Sequence, residues 1–491
     1  MIRGIVAASA LLFWLLNDSA FPAEPRPNVL LIAVDDLNDW VGPLKGHPLA
    51  RTPNFDRLAA RGTTFTNAHC QAPLCNPSRT SLMLSLRPTT SGVYALEPWF
   101  RTVPALADRV PLLEHFHSNG YETYTVGKIW HAGFPPPKDR PRELTEVGQI
   151  GPRKGRPAKP FTSTPGGHPA VDWGPFPERD EDHPDFGVAD WSVGKLHSPP
   201  KSPFLLCVGF SLPHVPCYAP PKWFDLYPPG SGLLPEVRED DRSDVPFFAW
   251  YLHWRLPEPR LKWLREADQW EPLVRAYLAS ISFMDAQVGR ILDALDQSAA
   301  ARNTIVVLWS DHGWHLGEKG ISGKNTLWER SARVPLIFAG PGIPSAARCG
   351  RPAELLDLYP TLSDLCGLPL RSDLEGLSLV PQLRDATAPR EGGRPAITSQ
   401  GPGNHAVRDE RWRYIRYADG SEELYDLETD PHEWTNLASA PDQADRKRAL
   451  AKWLPATSAA PVSGSKSRLI ELKDGKVFWE TQPVEGMVVP D

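Results

Sequence analysis

No long run of basic charge occurs in these 491 residues and the formal net charge is -6, so the polybasic footprint of a nucleic-acid-binding protein is missing. Cysteine is scarce. There are six, Cys70, Cys75, Cys207, Cys217, Cys349 and Cys366, with no C-x-x-C pair. That spacing excludes a zinc ribbon and a disulfide-framed scaffold, although an exported chain can still pair some of them. No internal repeat is found, which excludes a solenoid. Past the first residues no apolar run is long enough to cross a membrane.

Proline (54) and tryptophan (18) are abundant, which points to long, stiffened loops on a scaffold. The length suits one large domain with a smaller companion. At the N-terminus Arg3 precedes an apolar stretch from Gly4 to Leu16, and Ala20 and Ala23 are candidate last residues before cleavage. This predicts a signal peptide over residues 1–23 and no stable membrane anchor after its removal. Export then leads to the periplasm or the extracellular space, or to the lysosomal lumen in a eukaryote.

Short apolar runs alternate with helical patterns, as in a parallel sheet covered on both faces. Strands are predicted at Asn28–Val34, Tyr121–Val126, Pro203–Phe210, Thr304–Trp309 and Val334–Ala339. Thr52-Pro53 opens a helix that Gly62 is expected to end, and Leu273–Leu295 reads as a long amphipathic helix. Residues 133–202 and 217–272 read as irregular loops rich in tryptophan. Their indoles (Trp173, Trp191, Trp223, Trp250, Trp254, Trp263, Trp270) are compatible with stacking on sugar rings as well as with plain packing. After about Arg384 the pattern changes to short antiparallel strands at Ala406–Arg408, Arg413–Tyr417 and Glu422–Asp426, with Asp419-Gly420 as a turn. The expected division is therefore residues 24–384 and 385–491.

Polar residues follow the strands: Asp35-Asp36 the first, Lys128 and His131 the second, His214 the third, Asp311-His312 the fourth. In open α/β sheets ligands bind beyond the carboxyl ends of the strands, so four strand ends point chemistry at one edge. A further motif, Cys75-Asn76-Pro77-Ser78-Arg79, sits where a loop enters a helix, with Pro77 in the first turn. A helix N-terminus suits an anion, and Arg79 adds a positive fork one turn on.

The motif Cys75-Asn76-Pro77-Ser78-Arg79 resembles the C-x-P-S-R signature of the type I, formylglycine-dependent sulfatases. The resemblance runs from about Pro27 to Leu437 and is strongest to the iduronate-2-sulfatase branch. It is carried by Asn28–Trp40, Gly127–Gly133, Gly209–Pro216, Ser310–Glu318, Val334–Gly342, Asp357–Leu362 and Glu423–Asp430, in that order. It implies an alkaline-phosphatase-like α/β sandwich: a large mixed, mostly parallel sheet between helices, plus a small C-terminal α+β subdomain with an antiparallel sheet. It further implies that a formylglycine-generating enzyme oxidises Cys75, and that the substrate is a sulfate ester of a sugar or polysaccharide.

The metal set implied is Asp35, Asp36, Cys75, Asp311 and His312. Adjacent carboxylates repel, and a cation resolves that repulsion. Mostly oxygen ligation favours calcium or magnesium, and the family implies one calcium ion. Many relatives carry asparagine where His312 stands; histidine matches the iduronate branch and is a softer ligand. The resemblance also assigns Arg79, Lys128, His131, His214 and Lys324 as basic groups around the sulfate. His214 or Lys324 gives a proton to the departing alcohol, and His131 takes one from residue 75. His315 falls in a nearby loop, within reach of substrate.

Two positions differ from the family pattern. Met83-Leu84-Ser85 stands where leucine-threonine-glycine usually completes the signature, and Leu212 stands where the iduronate branch often has lysine. Two other readings accompany the sulfatase: a phosphoester or phosphonate hydrolase on the same scaffold, and a non-catalytic binding protein with unmodified Cys75. Phosphatases on this scaffold use two or three metal sites, whereas the sequence shows ligands for one cluster.

Overall fold

The computed structural model describes residues 26–132 and 135–486. The expected signal peptide, residues 1–23, lies outside them. The centre is an eight-stranded sheet made of β1 (Asn28–Asp35), β2 (Gly62–Phe65), β3 (Glu122–Gly127), β4 (Glu146–Val147), β5 (Phe204–Pro213), β6 (Thr304–Ser310), β7 (Leu336–Ala339) and β8 (Ala347–Cys349). Their order across the sheet is β8-β2-β7-β6-β1-β5-β3-β4. β1 pairs in parallel with both β5 and β6, while β7 runs antiparallel to both its neighbours.

β1 is apolar at every position from Val29 to Val34 because both its faces are buried. Leu30, Ile32 and Val34 join one core, and Val29, Leu31 and Ala33 join the other. The first core lies under helices α1 (Pro53–Ala60), α4 (Pro184–His197) and α5 (Trp270–Gln297). The second is covered by α2 (Cys75–Leu84), α3 (Leu112–Ser118) and α6 (Leu358–Leu365). Each fully buried Leu, Ile or Val contributes about 1.5–3 kcal/mol, so the two faces together hold β1 firmly at the centre.

Three expectations are corrected. Gly62 does not end α1 but opens β2, where a Cβ would meet Phe338 O at 1.9 Å. Nor does the Thr52 side chain cap α1; its hydroxyl accepts from Gly42 N–H. The α1 cap comes from across the core: the Asp285 carboxylate on α5 accepts the N–H groups of Asn54 (3.1 Å) and Phe55 (2.9 Å). Finally, residues 133–202 are not all loop. They contain the 14-residue α4, which begins with Pro184 at its first position and buries Val188, Ala189 and Leu196. Glycines at 187 and 194 obscure its helical pattern in the sequence.

The C-terminal part carries a four-stranded antiparallel sheet, β9 (Ala396–Ser399), β10 (His405–Arg408), β11 (Trp412–Arg416) and β12 (Glu422–Asp426), paired in that order. β9 was not expected. A three-stranded sheet follows, β13 (Ile470–Lys473), β14 (Lys476–Trp479) and β15 (Gln482–Pro483), also unexpected. No helix among the described residues is long and apolar enough to cross a membrane.

Replacing Asp285 with Ala strands one buried N–H group, that of Phe55, and one half-buried, that of Asn54, at the start of α1. We expect a loss of about 1–3 kcal/mol, read as a lower midpoint in urea or thermal unfolding. An unchanged midpoint would contradict the capping role.

Candidate active site

The first functional residues are positioned by how β1 ends. Its register with β5 slips between Val34 and Asp35, so that Val34 faces Phe210 but Asp35 faces Pro213. Such an irregularity re-aims a strand end. Here it brings Asp35 and Asp36 beside His214, just after β5. Asp36 takes a left-handed backbone conformation (φ 59°). Its N–H donates to Asp311 Oδ1 (3.1 Å) and its carbonyl accepts from the Tyr277 hydroxyl (2.7 Å). On the next strand over, Gly127 (φ 73°) turns the chain into Lys128. A Cβ on Gly127 would meet Gly209 O at 2.0 Å, so glycine there lets β3 close on β5.

α2 begins at Cys75 and every one of its residues is buried. Leu74 precedes it and offers no side-chain cap to the first N–H groups of α2. One turn on, Arg79 has no exposed surface. Its Nε donates to Asp311 Oδ2 (2.8 Å), Nη2 to Asp35 Oδ1 (3.0 Å), and Nη1 to the carbonyls of Lys128 (2.6 Å) and Ile129 (2.9 Å). The sequence suggested a fork aimed at the anion. In the structure the fork is occupied by two carboxylates and two carbonyls. Ser78 adds a hydroxyl donating to Asp311 O (2.5 Å).

Around Cys75 Sγ lie Lys324 Nζ (3.2 Å), His312 Nε2 (3.3 Å) and Lys128 Nζ (3.8 Å). Burial alone pushes a thiol up, as it does at Cys70, Cys207, Cys217, Cys349 and Cys366. At Cys75 the positive charges of Lys128, Lys324 and His312, with a hydrogen bond from His131, overcome burial and hold the thiol well below its ordinary range. All six cysteines are buried and unpaired. Only Cys75 is tuned toward the anionic form.

Three carboxylates complete the floor. Lys324 Nζ contacts Asp36 Oδ1 (2.7 Å), Lys128 Nζ contacts Asp35 Oδ2, and His312 Nε2 lies 3.3 Å from Asp36 Oδ1 and 3.6 Å from Asp311 Oδ2. Burial pulls the His312 imidazole down, but Asp311 and Asp36 outweigh it and hold it at about 8. Asp311 is pushed up to about 6 by burial, despite Arg79. Asp35 stays well below the carboxylate range because Lys128, His214 and Arg79 outweigh its burial.

Asp36 Oδ2 is buried with no hydrogen-bond partner, an arrangement that calls for a cation. Donor atoms of Asp35, Asp36, Cys75 and His214 lie within 4.8 Å of one another, as do those of Cys75, Asp311 and His312. This oxygen-rich set with one or two imidazoles fits a divalent ion. His214 and Lys128, with 27% and 20% of their side chains accessible, and the half-buried His131 form the mouth over a buried floor.

The structure thus brings together Asp35, Asp36, Cys75, Arg79, Lys128, His131, His214, Asp311, His312 and Lys324. His315 does not join them: it is buried, with Nε2 on the Thr326 hydroxyl (2.9 Å). Leu212 packs in the core, so no cation is presented from that position. Ser85 holds the left-handed position (φ 50°) that ends α2, where the family pattern has glycine, and its hydroxyl donates to Leu356 O (2.8 Å). Sequence reasoning missed Ser78 and Tyr277, which fix the backbones of Asp311 and Asp36. Ser78 lies within the Cys75-to-Arg79 signature, which could have flagged it, whereas no pattern marks Tyr277. The loop tryptophans mostly pack: Trp173 and Trp254 are buried, and Trp270 donates to Leu316 O. Trp173 and Trp270 also line a separate cavity of about 820 Å³ that contains none of the cluster residues.

Comparison with known proteins places the chain in a family. The model of the sulfatase family matches residues 27–368, and that of the N-sulphoglucosamine sulphohydrolase C-terminal region matches residues 317–459. A sulfatase of Formosa agariphila is 41% identical over 453 residues, covering 88% of this chain and 87% of that protein. The iduronate 2-sulfatase of Mus musculus is 32% identical over 400 residues, 70% of this chain and 69% of the relative. Among solved structures, a 2-O GAG sulfatase superposes with a TM-score of 0.67 at 27% identity, covering 87% of this chain and 91% of that one. With its fold, its cluster and its signature helix accounted for, the chain belongs to the sulfatase family.

Proposed function

We propose that this protein hydrolyses sulfate esters of sugars or polysaccharides, with residue 75 as the source of the nucleophile. The observation that carries this reading is the buried Cys75 Sγ, ringed by Lys324, His312 and Lys128 above three carboxylates at a helix N-terminus. The relatives named as iduronate 2-sulfatase and 2-O GAG sulfatase support a sulfated uronate as the first substrate to try. We place the reaction on residues before about 384 and regard the rest of the chain as a subdomain. Export, after cleavage near residue 23, is part of the same reading.

The Sγ atom marks where the oxygens of formylglycine would stand after maturation by a formylglycine-generating enzyme. Formylglycine supplies a hydrated aldehyde, whose hydroxyl is a nucleophile at sulfur. Asp35, Asp36, Asp311 and His312, together with residue 75, would hold a calcium ion, which would supply fixed positive charge. Arg79 locks Asp35 and Asp311 in place. Three carboxylates stand against Arg79, Lys128 and Lys324, so the protein alone presents a near-balanced floor, which a divalent ion would tip toward binding an anion. Lys128 and Lys324 face the sulfuryl oxygens and offset charge developing there. His214, at the mouth, holds the proton for the departing alcohol. His131 takes a proton at residue 75 as sulfate leaves.

The matured protein should release inorganic sulfate from sulfated uronates or hexosamines. Preference for a phosphonate monoester over the sulfate ester of the same alcohol would overturn the reading. Asp311→Ala should lose bound calcium, measured by elemental analysis, and turnover together, the latter by roughly a hundredfold or more. Normal activity in that variant would refute the metal assignment. His214→Asn should slow sugar sulfates much more than 4-nitrophenyl sulfate, whose leaving group needs no proton; an equal loss on both would remove His214 from that role.

A further inference from the structure

The segment after β12 reaches back to the catalytic cluster. Ala459 N–H donates to Thr89 O (2.7 Å), Val462 N–H to Gly92 O (3.1 Å) and Leu96 N–H to Ser467 O (3.1 Å), so residues 459–468 run along residues 89–98. The same stretch holds Asn76, the neighbour of Cys75, whose Nδ2 donates to Ala95 O (3.0 Å) and Pro98 O (3.3 Å). The C-terminal segment is therefore packed on the wall behind the start of α2.

At the end of this run Ser467 and Arg468 both adopt left-handed backbone conformations (φ 67° and 71°). Two consecutive non-glycine residues in that region are uncommon, and such strain persists where surrounding contacts enforce it. Those contacts are clear. Arg468 N–H donates to Glu480 Oε1 (3.1 Å), Nη2 to Glu258 Oε1 (2.8 Å) and Nη1 to Asn325 Oδ1 (3.2 Å). Asn325 follows Lys324, whose Nζ touches Cys75 Sγ. Glu258 packs against Gly323 (φ 110°), where an added Cβ would lie 3.3 Å from Glu258 Cβ. Of the ion pair, the Glu258 side chain is 2% exposed and that of Arg468 17%, so Arg468 is the partner that reaches solvent. It also feels the reaction centre: burial lowers it, but Glu258 first and then Cys75 and Asp36 hold it raised.

We propose that Arg468, held by Glu258 and Asn325, is a positioning residue that donates a hydrogen bond to an uncharged ring hydroxyl oxygen of the sulfated sugar. The inference rests on the sulfatase reading above. A guanidinium only donates, so its ligand must offer an acceptor. Glu258 already neutralises Arg468, and the buried Glu258 Oε2 has no partner. A second anionic group placed there would meet an already compensated cation beside the buried Glu258 carboxylate, whereas a hydroxyl oxygen meets no such repulsion. The catalytic charges are thereby left to the scissile sulfate, and Arg468 reads the sugar that carries it.

The test uses matured full-length protein, wild type, Arg468→Met and Arg468→Lys. Substrates are 4-nitrophenyl sulfate, which has no ring hydroxyl, glucosamine 6-sulfate and a hexuronate 2-sulfate, with deoxy analogues of each sugar. Arg468→Met should lower the ratio of kcat/KM on sugar sulfate to kcat/KM on the aryl ester by roughly tenfold or more, mainly through KM, with Arg468→Lys between. The difference between wild type and Arg468→Met should vanish on the deoxy analogue that lacks the hydroxyl being read. An unchanged ratio overturns the proposal, as does an equal fall on both substrate types with a lowered thermal midpoint, which marks a structural role. A loss confined to sugars bearing a second anion overturns the choice of a neutral ligand. Failure of the wild type to release sulfate from any ester, aryl sulfate included, overturns the sulfatase reading and this inference with it; that result appears before any variant is compared.

Discussion

The Arg79 guanidinium, buried between Asp35 and Asp311, is the contact on which the rest of the site depends. Three carboxylates with almost no exposed surface gather at one sheet edge, and ionised groups so placed must be compensated. Arg79 ties the end of β1 to the end of β6 and, through the carbonyls of Lys128 and Ile129, to the chain leaving β3. It does so from α2, one turn after Cys75. The helix that carries Cys75 is thus tied to the same residue that holds the carboxylates. A buried charge network of this kind costs several kcal/mol when one partner is lost, which is why its geometry tolerates little variation.

Much of this was legible in the sequence for definite reasons. β1, β5 and β6 are buried on both faces and read as unbroken apolar runs, so their ends, and the polar residues after them, could be placed. The cluster followed because sheet topology sends parallel strand ends to one edge. α4 escaped because two glycines and a proline blur its period. β9 escaped because four residues give too little alternation to recognise. The β13–β14 hairpin carries a usable signal, Asp474-Gly475 with both residues at positive φ between alternating residues, which makes it legible in retrospect. The α1 cap from Asp285 and the role of Arg79 as a clamp are long-range facts. No local pattern distinguishes an arginine that binds substrate from one that is fully occupied by its own protein.

The C-terminal part is more than a companion to the catalytic sheet. Its segment from Ala459 to Arg468 forms part of the wall beside Asn76 and Lys324, more than 370 residues of chain after the Cys75 motif that opens α2. The charged cluster sits on strand ends fixed by two hydrophobic cores, while part of its surroundings is built from loops and from this returning segment. Such a division lets substrate preference change without disturbing the buried charges.

The proposed hydrolysis requires that residue 75 become an aldehyde. The tryptic peptide from Gly62 to Arg79 reports this directly, and it contains Cys70 as an internal control. After co-expression with a formylglycine-generating enzyme and alkylation, mass spectrometry should find one alkylated cysteine, Cys70. At residue 75 the peptide should have lost one sulfur and two hydrogens and gained one oxygen, leaving a group that reacts with a hydrazide. A peptide alkylated at both cysteines, with no hydrazide-reactive form, would contradict the account.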